Sequence, residues 1–151
     1  MTLLTLALPQ ETSRPLPANE RDRDSTDDRA SNSESDEALG LAGWHSVCAL
    51  EDIVPDTGVC ALVRGQQIAL VRVGDGEDVF AIGNFDPFSK AFVLSRGIVG
   101  DRGGVAKIAS PIYKQSFDLR TGLCLDDATV AVPVWPARVV RGRVEVQVDP
   151  A

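Results

Sequence analysis

Two stretches decide the fold of this chain: Asn84-Phe85-Asp86-Pro87-Phe88-Ser89 and, beginning 22 residues beyond Phe88, Ser110-Pro111-Ile112-Tyr113-Lys114-Gln115-Ser116-Phe117-Asp118-Leu119-Arg120-Thr121-Gly122. They lie in two regions, residues 83–104 and 110–122, that show little strand character in the sequence. Long loops inside a compact domain usually carry function or descend from a functional site. The two stretches therefore mark the predicted functional end of the molecule.

Short β-strands are predicted on both sides of these loops. They cover residues 44–48, 59–63, 67–73, 78–82, 130–134, 137–140 and 143–148. The last of them alternates valines with Glu145 and Gln147, which predicts one buried and one exposed face. Short strands at regular spacing, with no convincing helix, predict a small all-β antiparallel sandwich or barrel.

The two stretches resemble the ligand loops of the Rieske iron–sulfur domain. In that family one loop carries Cys-x-His and the other carries Cys-Pro-x-His, followed by Phe-Asp and a Thr-Gly turn; Phe117-Asp118 and Thr121-Gly122 match the latter part. The resemblance covers roughly residues 44–148. It implies a Rieske-like antiparallel β-sandwich with a loop-rich tip, and we expect this domain to span residues 44–149.

The resemblance also identifies the four positions that would ligate a [2Fe-2S] cluster. Asp86 and Phe88 take the first Cys and His positions, and Ser110 and Tyr113 take the second pair. A Rieske centre needs two thiolates on one iron and two imidazoles on the other. Phe88 has no donor atom, and the only histidine, His45, lies on the first predicted strand. We therefore predict no cluster, no other metal and no catalytic residue in this chain.

Each of these four side chains also has a purely structural interpretation. We expect Phe88 and Tyr113 to fill the space that a cluster would occupy, because aromatic filling restores packing contacts. Ser110 is expected to be a turn residue that hydrogen-bonds the local backbone, and Asp86 is expected to form a turn before Pro87.

The residues that stand in place of the Rieske ligands, together with their neighbours, resemble those of one family. The Phe-Asp-Pro-Phe loop, the run Leu94–Asp101 and the run Ser110–Leu119 look like small subunits of assimilatory NAD(P)H-dependent nitrite reductases. The resemblance implies a cytoplasmic accessory subunit, without a cofactor of its own, in the reduction of nitrite to ammonium. It implies a large-subunit partner that carries FAD, siroheme, an iron–sulfur cluster and an NAD(P)H site. The alternative is a cluster-less Rieske-like interaction or regulatory module of another oxidoreductase.

The end of the domain that carries the two loops is the predicted contact with that large subunit. In a Rieske domain the two ligand loops form the exposed end that approaches redox partners. Here that end offers a mixture of apolar, polar and basic side chains, which suits a polar-rimmed interface and could steer a partner: Pro87, Lys90, Arg96, Lys114 and Gln115.

Composition excludes several other classes. The chain of 151 residues has a net charge of −7 and a pI near 4.6, which argues against binding to nucleic acid. No apolar run approaches the ~20 residues of a membrane span. Three widely spaced cysteines give no disulfide framework, which fits a reducing cytoplasm.

The N-terminal segment differs from the rest of the chain. Residues 1–43 contain nine acidic residues against four arginines and none of the eight aromatic residues. A segment so poor in apolar surface cannot offset the entropy of ordering. We predict that residues 1–43 form a disordered acidic tail, which lies outside the resemblance.

Overall fold

A computed structural model describes residues 43–150, and these residues form short strands joined by turns. The strands are β1 (Trp44–Ala49), β2 (Thr57–Val63), β3 (Gln66–Val73), β4 (Asp78–Gly83), β5 (Phe85–Asp86), β6 (Ala91–Phe92), β7 (Ile98–Arg102), β8 (Val105–Ala109), β9 (Ser116–Asp118), β10 (Val134–Trp135), β11 (Ala137–Val140) and β12 (Arg143–Gln147). Two 3-10 turns, Leu50–Asp52 and Leu94–Arg96, are the helical elements within this range. The predicted all-β fold class is confirmed.

The strands form antiparallel sheets that stack in layers. A central sheet has the order β10-β4-β3-β2, an outer sheet has the order β1-β12-β11, and a sheet at the other side has the order β7-β8-β9. A small hairpin, β5-β6, follows the central strand β4. Pairing of β1 with β12 joins the two ends of the described chain.

The inner strands of the central sheet, β3 and β4, are buried on both faces. Ile68 and Leu70 of β3 pack with Val144 and Val146 of the outer sheet, in one core cluster. The alternate residues of β3, which include Val71, pack in a second core cluster with side chains of β8 and β9. A strand with cores on both sides reads as a continuous apolar run, which is why β3 is apolar over residues 68–71.

Six of the seven predicted strands agree to within two residues of their ends with β1–β4, β11 and β12, and the alternation on β12 was correctly predicted. The sequence did not predict β5–β9: residues 83–104 and 110–122 were expected to have little strand character, but they contain β5, β6, β7 and β9, and β8 lies between them. Gly103 and Gly104 there have positive φ angles of 61° and 86° and form the hairpin turn between β7 and β8. Gly103 and Gly104 therefore mark the turn of a hairpin and not a long loop.

The strand expected at residues 130–134 is also mostly absent, since only Val134–Trp135 of this region forms a strand. Pro133 lacks an N–H for a ladder, and Ala131 makes one isolated bridge with Leu123. The predicted acidic tail, residues 1–43, lies outside the described residues except for Gly43. None of the described helical segments is long and apolar enough to cross a membrane.

Candidate functional site: the tip

The tip of the molecule consists of two loops, residues 84–96 and 110–115, that lie at one end of the sheets. The first loop holds the β5-β6 hairpin, in which Phe85 pairs with Phe92 and Asp86 with Ala91. The backbone N–H of Lys90 donates to the carbonyl of Asp86 at 2.8 Å, which closes the hairpin turn. Residues 87–90 form this turn, and Lys90 is its exposed residue.

The second loop connects β8 to β9 in a tight turn. The N–H of Ser110 donates to the carbonyl of Gln115 at 2.8 Å, and the N–H of Lys114 donates to the carbonyl of Ser110 at 3.1 Å. Lys114 has a positive φ of 67°, which lets the chain reverse within six residues. Residues 111–114 therefore form the crown of the turn, while Ser110 and Gln115 form its base.

The structure brings Asp86 and Ser110, the positions of the two Rieske cysteines, into direct contact. The hydroxyl of Ser110 donates to Oδ2 of Asp86 at 2.6 Å, and both residues are fully buried. The same carboxylate accepts a hydrogen bond of 2.7 Å from the Ser89 hydroxyl and one of 2.9 Å from the Phe88 N–H. One buried carboxylate thus joins the two loops.

The hydrogen bonds control the ionisation of this carboxylate. Burial by itself raises the pKa of Asp86, but hydrogen bonds from Ser110, Ser89 and the N–H groups of Phe88 and Ser89 outweigh it. The net effect is a pKa below that of a free aspartate. A carboxylate held ionised by several donors is a poor proton acceptor near neutral pH, so this arrangement fits a structural link better than acid–base catalysis.

The side chains at the two Rieske histidine positions, Phe88 and Tyr113, differ in burial. Phe88 is half-buried, packs against the second core cluster and lies 6.2 Å from Phe117 between ring centroids. Tyr113 is 61% exposed on the crown of the second loop. Phe88 thus fills interior space as expected, whereas the expectation for Tyr113 was wrong, because the tight turn holds it at the surface.

The expected roles of Asp86 and Ser110 were incomplete. Asp86 does form a turn, through the N–H of Phe88, and Ser110 does accept a long bond of 3.3 Å from the N–H of Ile112. Their shorter contact is with each other, across 24 residues of sequence. Local turn chemistry therefore describes only part of what either side chain does.

A buried asparagine that the sequence did not single out anchors the first loop. The Asn84 side chain is 2% exposed, and its Oδ1 accepts a 2.8 Å bond from the N–H of Ser95. The backbone carbonyl of Asn84 accepts hydrogen bonds from the N–H groups of Val93 and Leu94 at 2.9 and 3.1 Å. An Asn that directly follows a strand is a sequence signal for a side chain that hydrogen-bonds the backbone of the loop.

The residues predicted to contact a partner divide into exposed and partly buried groups. Lys90 and Arg96 are exposed on the first loop, and Lys114 is exposed on the second with its Nζ donating to the Pro111 carbonyl at 2.9 Å. Pro87 and Gln115 are half-buried. The Asp86–Ser110 bond joins the loops that carry Lys90 and Lys114, and Arg96 lies at the end of the first loop, in the 3-10 turn Leu94–Arg96.

These residues do not fit a Rieske cluster. The four ligand positions offer a carboxylate that already accepts several donors, a hydroxyl that donates to it, an exposed phenol and a phenyl ring without a donor. Within residues 43–150, no group of three or more His, Cys, Asp or Glu side chains is arranged to hold a metal ion. Fold and site together define a Rieske-like β-domain whose tip is closed by hydrogen bonds.

Comparison with known proteins identifies the family. Residues 43–147 match the Rieske-like [2Fe-2S] domain family. The nitrite reductase (NADH) small subunit of Salmonella typhimurium is 44% identical over 107 residues, which cover 71% of this chain and 99% of the relative. The chain belongs to the nitrite reductase small-subunit family of Rieske-like domains.

Two further relatives bear on structure and assembly. The solution structure of the nitrite reductase [NAD(P)H] small subunit from Erwinia carotovora is 45% identical, with a TM-score of 0.65, and the match covers 74% of this chain and 85% of that one. The nitrite reductase [NAD(P)H] large subunit of Klebsiella oxytoca is 43% identical over 107 residues, which cover 71% of this chain and 11% of that subunit. In Klebsiella a similar domain is thus part of the large-subunit chain.

Proposed function

We propose that this chain is the accessory small subunit of a cytoplasmic NAD(P)H-dependent nitrite reductase that reduces nitrite to ammonium in nitrate and nitrite assimilation. The redox chemistry takes place on the large subunit, to which we assign FAD, siroheme, an iron–sulfur cluster and the NAD(P)H site. The small subunit carries no catalytic residue and supports the assembly or activity of the complex.

The observation that carries this proposal is similarity over nearly the whole length of a nitrite reductase small subunit, at 44% identity. Similarity confined to the fold would be compatible with many oxidoreductases. Here it extends over 99% of the relative, and so includes both tip loops. The similar domain within the Klebsiella large subunit supports the choice of partner, because there such a domain is part of the large-subunit chain itself.

The chemistry of the tip supports an accessory rather than an electron-carrying role. The Asp86 carboxylate and the Ser110 hydroxyl bond to each other, where a Rieske domain has two thiolates on iron. The loops keep their arrangement through these bonds and can still present a surface. We therefore propose that the tip contacts the large subunit through Pro87, Lys90, Arg96, Lys114 and Gln115.

Co-expression with the large subunit from the same organism tests the proposal. The small subunit carries the affinity tag, and the co-purified partner is identified by mass spectrometry. We expect the large subunit in stoichiometric amount, and a higher rate of nitrite-dependent NAD(P)H oxidation by the complex than by the large subunit alone. A tagged Rieske ferredoxin is the control for non-specific capture.

The result also decides the alternative. Capture of a different oxidoreductase, with no binding of the nitrite reductase large subunit, would support a cluster-less interaction or regulatory module of that enzyme. Binding of the large subunit without any change in its rate or stability would contradict an accessory role.

A further inference from the structure

An apolar groove of about 310 Å³ opens beside the tip. It lies between the turn that joins β2 to β3, the β5-β6 hairpin and the segment that leads into β10. The large apolar side chains of its wall include Leu62, Phe85, Pro87, Phe92, Pro133 and Trp135, and the polar residues that line it are uncharged.

The groove exposes large apolar side chains to solvent. Leu62 is 73% exposed, Phe92 is 54% exposed and Phe85 is 40% exposed. The two phenyl rings lie 5.1 Å apart in a tilted pair. The described residues that line the groove include no Asp, Glu, Lys or Arg, although a quarter of the chain is charged. Aromatic enrichment and depletion of charge distinguish the core of a protein interface from the remaining surface.

The groove is continuous with the tip through a single strand. Successive side chains of a strand point to opposite faces, so Phe85 is directed to the groove while Asp86 is buried in the bond to Ser110. Pro87 lines the groove again, and Lys90 lies three residues further on the same turn. An apolar groove with cations at its border has the layout of an interface core and its rim.

We propose that this groove is the docking site for an uncharged apolar segment of the nitrite reductase large subunit, with the cationic tip as the rim of the same interface. This inference rests on the proposed function and adds the site and chemistry of the contact. The segment inserts aliphatic or aromatic side chains between Leu62 and Phe92. A charged side chain is excluded from the centre, because it would lose hydration without an opposite charge to pair with.

The large subunit is favoured over other occupants by the Klebsiella relative. There a similar domain belongs to the same polypeptide as the large subunit, so that domain has the large subunit as a permanent neighbour. A permanent neighbour allows an exposed aromatic pair to be kept on a small domain, because the surface is covered in the assembled enzyme.

Two substitutions test the groove, and one exposed position provides the control. Leu62→Asp and Phe92→Asp place a charge in the groove at side chains that are mostly solvent-exposed, so the fold is retained. Val54→Asp is the matched control, since Val54 is 63% exposed and precedes the opposite end of β2. We expect each groove variant to raise the Kd for the purified large subunit by about tenfold or more, the range of interface hot spots. Val54→Asp should leave the Kd within about twofold, and thermal unfolding verifies that all three variants are folded.

Photo-crosslinking identifies what lies in the groove. A benzoylphenylalanine at position 92, in the assembled complex of full-length chains, should crosslink to the large subunit. If both groove variants bind the large subunit with the wild-type Kd, this inference is overturned and the proposed function stays intact. A crosslink to residues 1–42 or to a second copy of this chain would overturn it as well. Failure of the wild-type chain to bind the large subunit would instead refute the proposed function itself.

Discussion

The hydroxyl of Ser110 lies 2.6 Å from Oδ2 of Asp86, in a fully buried hydrogen bond that joins the two loops of the tip. In a Rieske domain these two positions are cysteines bound to the same iron. Here a neutral donor and an ionised acceptor connect them. Charge-assisted hydrogen bonds are shorter and stronger than neutral ones, so the bond can hold the loops together in the way that a shared metal ion would.

Removal of the Ser110 hydroxyl should destabilise the folded domain. Ser110→Ala leaves the buried Asp86 carboxylate without its donor from the other loop, and we expect the free energy of unfolding to fall by about 1–3 kcal/mol. Chemical denaturation at pH 7 measures the change. In a double-mutant cycle with Asp86→Asn, the two effects should be less than additive. Ser89→Ala, which removes a donor from the same loop as Asp86, is the comparison; unchanged stability of Ser110→Ala would contradict the structural role.

The Asp86 carboxylate should also make stability depend on pH in a defined direction. Its pKa is lower in the folded chain than the value of about 3.9 in the unfolded chain. The unfolded state therefore takes up the proton first as pH falls, and the stabilisation that is present above the unfolded pKa is lost as pH falls through the folded pKa. We expect the stability difference between wild type and Asp86→Asn to be constant above about pH 5 and to shrink below that value.

A difference measurement is needed because other carboxylates also titrate. The pKa of Asp126 is lowered by the hydrogen bond from the Ser116 N–H and by the Arg102 side chain. That effect is common to wild type and Asp86→Asn, so it cancels in the difference. A difference that stays constant down to pH 2.5 would show that Asp86 does not contribute through its charge.

The strands that were predicted correctly each have a local signal in the sequence. Val144, Val146 and Val148 alternate with polar residues and are buried as predicted. Arg64 and Gly65, which join β2 to β3, have the positive φ that a two-residue hairpin turn needs, and a glycine at such a position is a local signal for the turn. Periodicity and turn chemistry act over a few residues, so a single sequence contains them.

The site was predicted only in part, because its central contact is not local. The motif located Asp86 and Ser110, but nothing within either loop indicates that their side chains meet across 24 residues. The exposure of Tyr113 depends on the turn that Ser110, Lys114 and Gln115 close through their backbones. The packing of the two loops decides both features, and packing is a property of the folded chain.

The purified chain should bind no Rieske cluster even when iron and sulfide are supplied. The reason is the donor set, since Phe88 and Tyr113 provide no imidazole and Asp86 and Ser110 provide no thiolate. Anaerobic reconstitution followed by assays of iron and acid-labile sulfide measures this, with a Rieske ferredoxin treated in the same way as positive control. Iron and sulfide in stoichiometric amounts would contradict the prediction.

Truncation of the acidic tail should not change the stability of the domain. Residues 1–43 contain no aromatic residue and little apolar surface, so they are predicted to add nothing to the core. A chain that starts at Leu41 should unfold at the same temperature as the full chain in calorimetry. A decrease of several degrees would indicate that the N-terminal segment packs on the domain.

Reversal of charge at the tip should weaken binding to the large subunit. Lys90→Glu and Lys114→Glu each replace an exposed cation on one of the two joined loops, and together they change the charge of the proposed rim by four. We expect a higher Kd for the large subunit, mainly through slower association, and a lower rate of nitrite-dependent NAD(P)H oxidation.

Arg141→Glu is a matched control: it reverses an exposed cation that, like Lys90 and Lys114, has a positive φ, but it lies in the β11-β12 turn. Raising the salt concentration should reduce the difference between wild type and the double variant, because salt screens exposed charges. If the double variant binds and supports turnover like wild type, the cations of the tip are ordinary solvated side chains and the interface lies elsewhere.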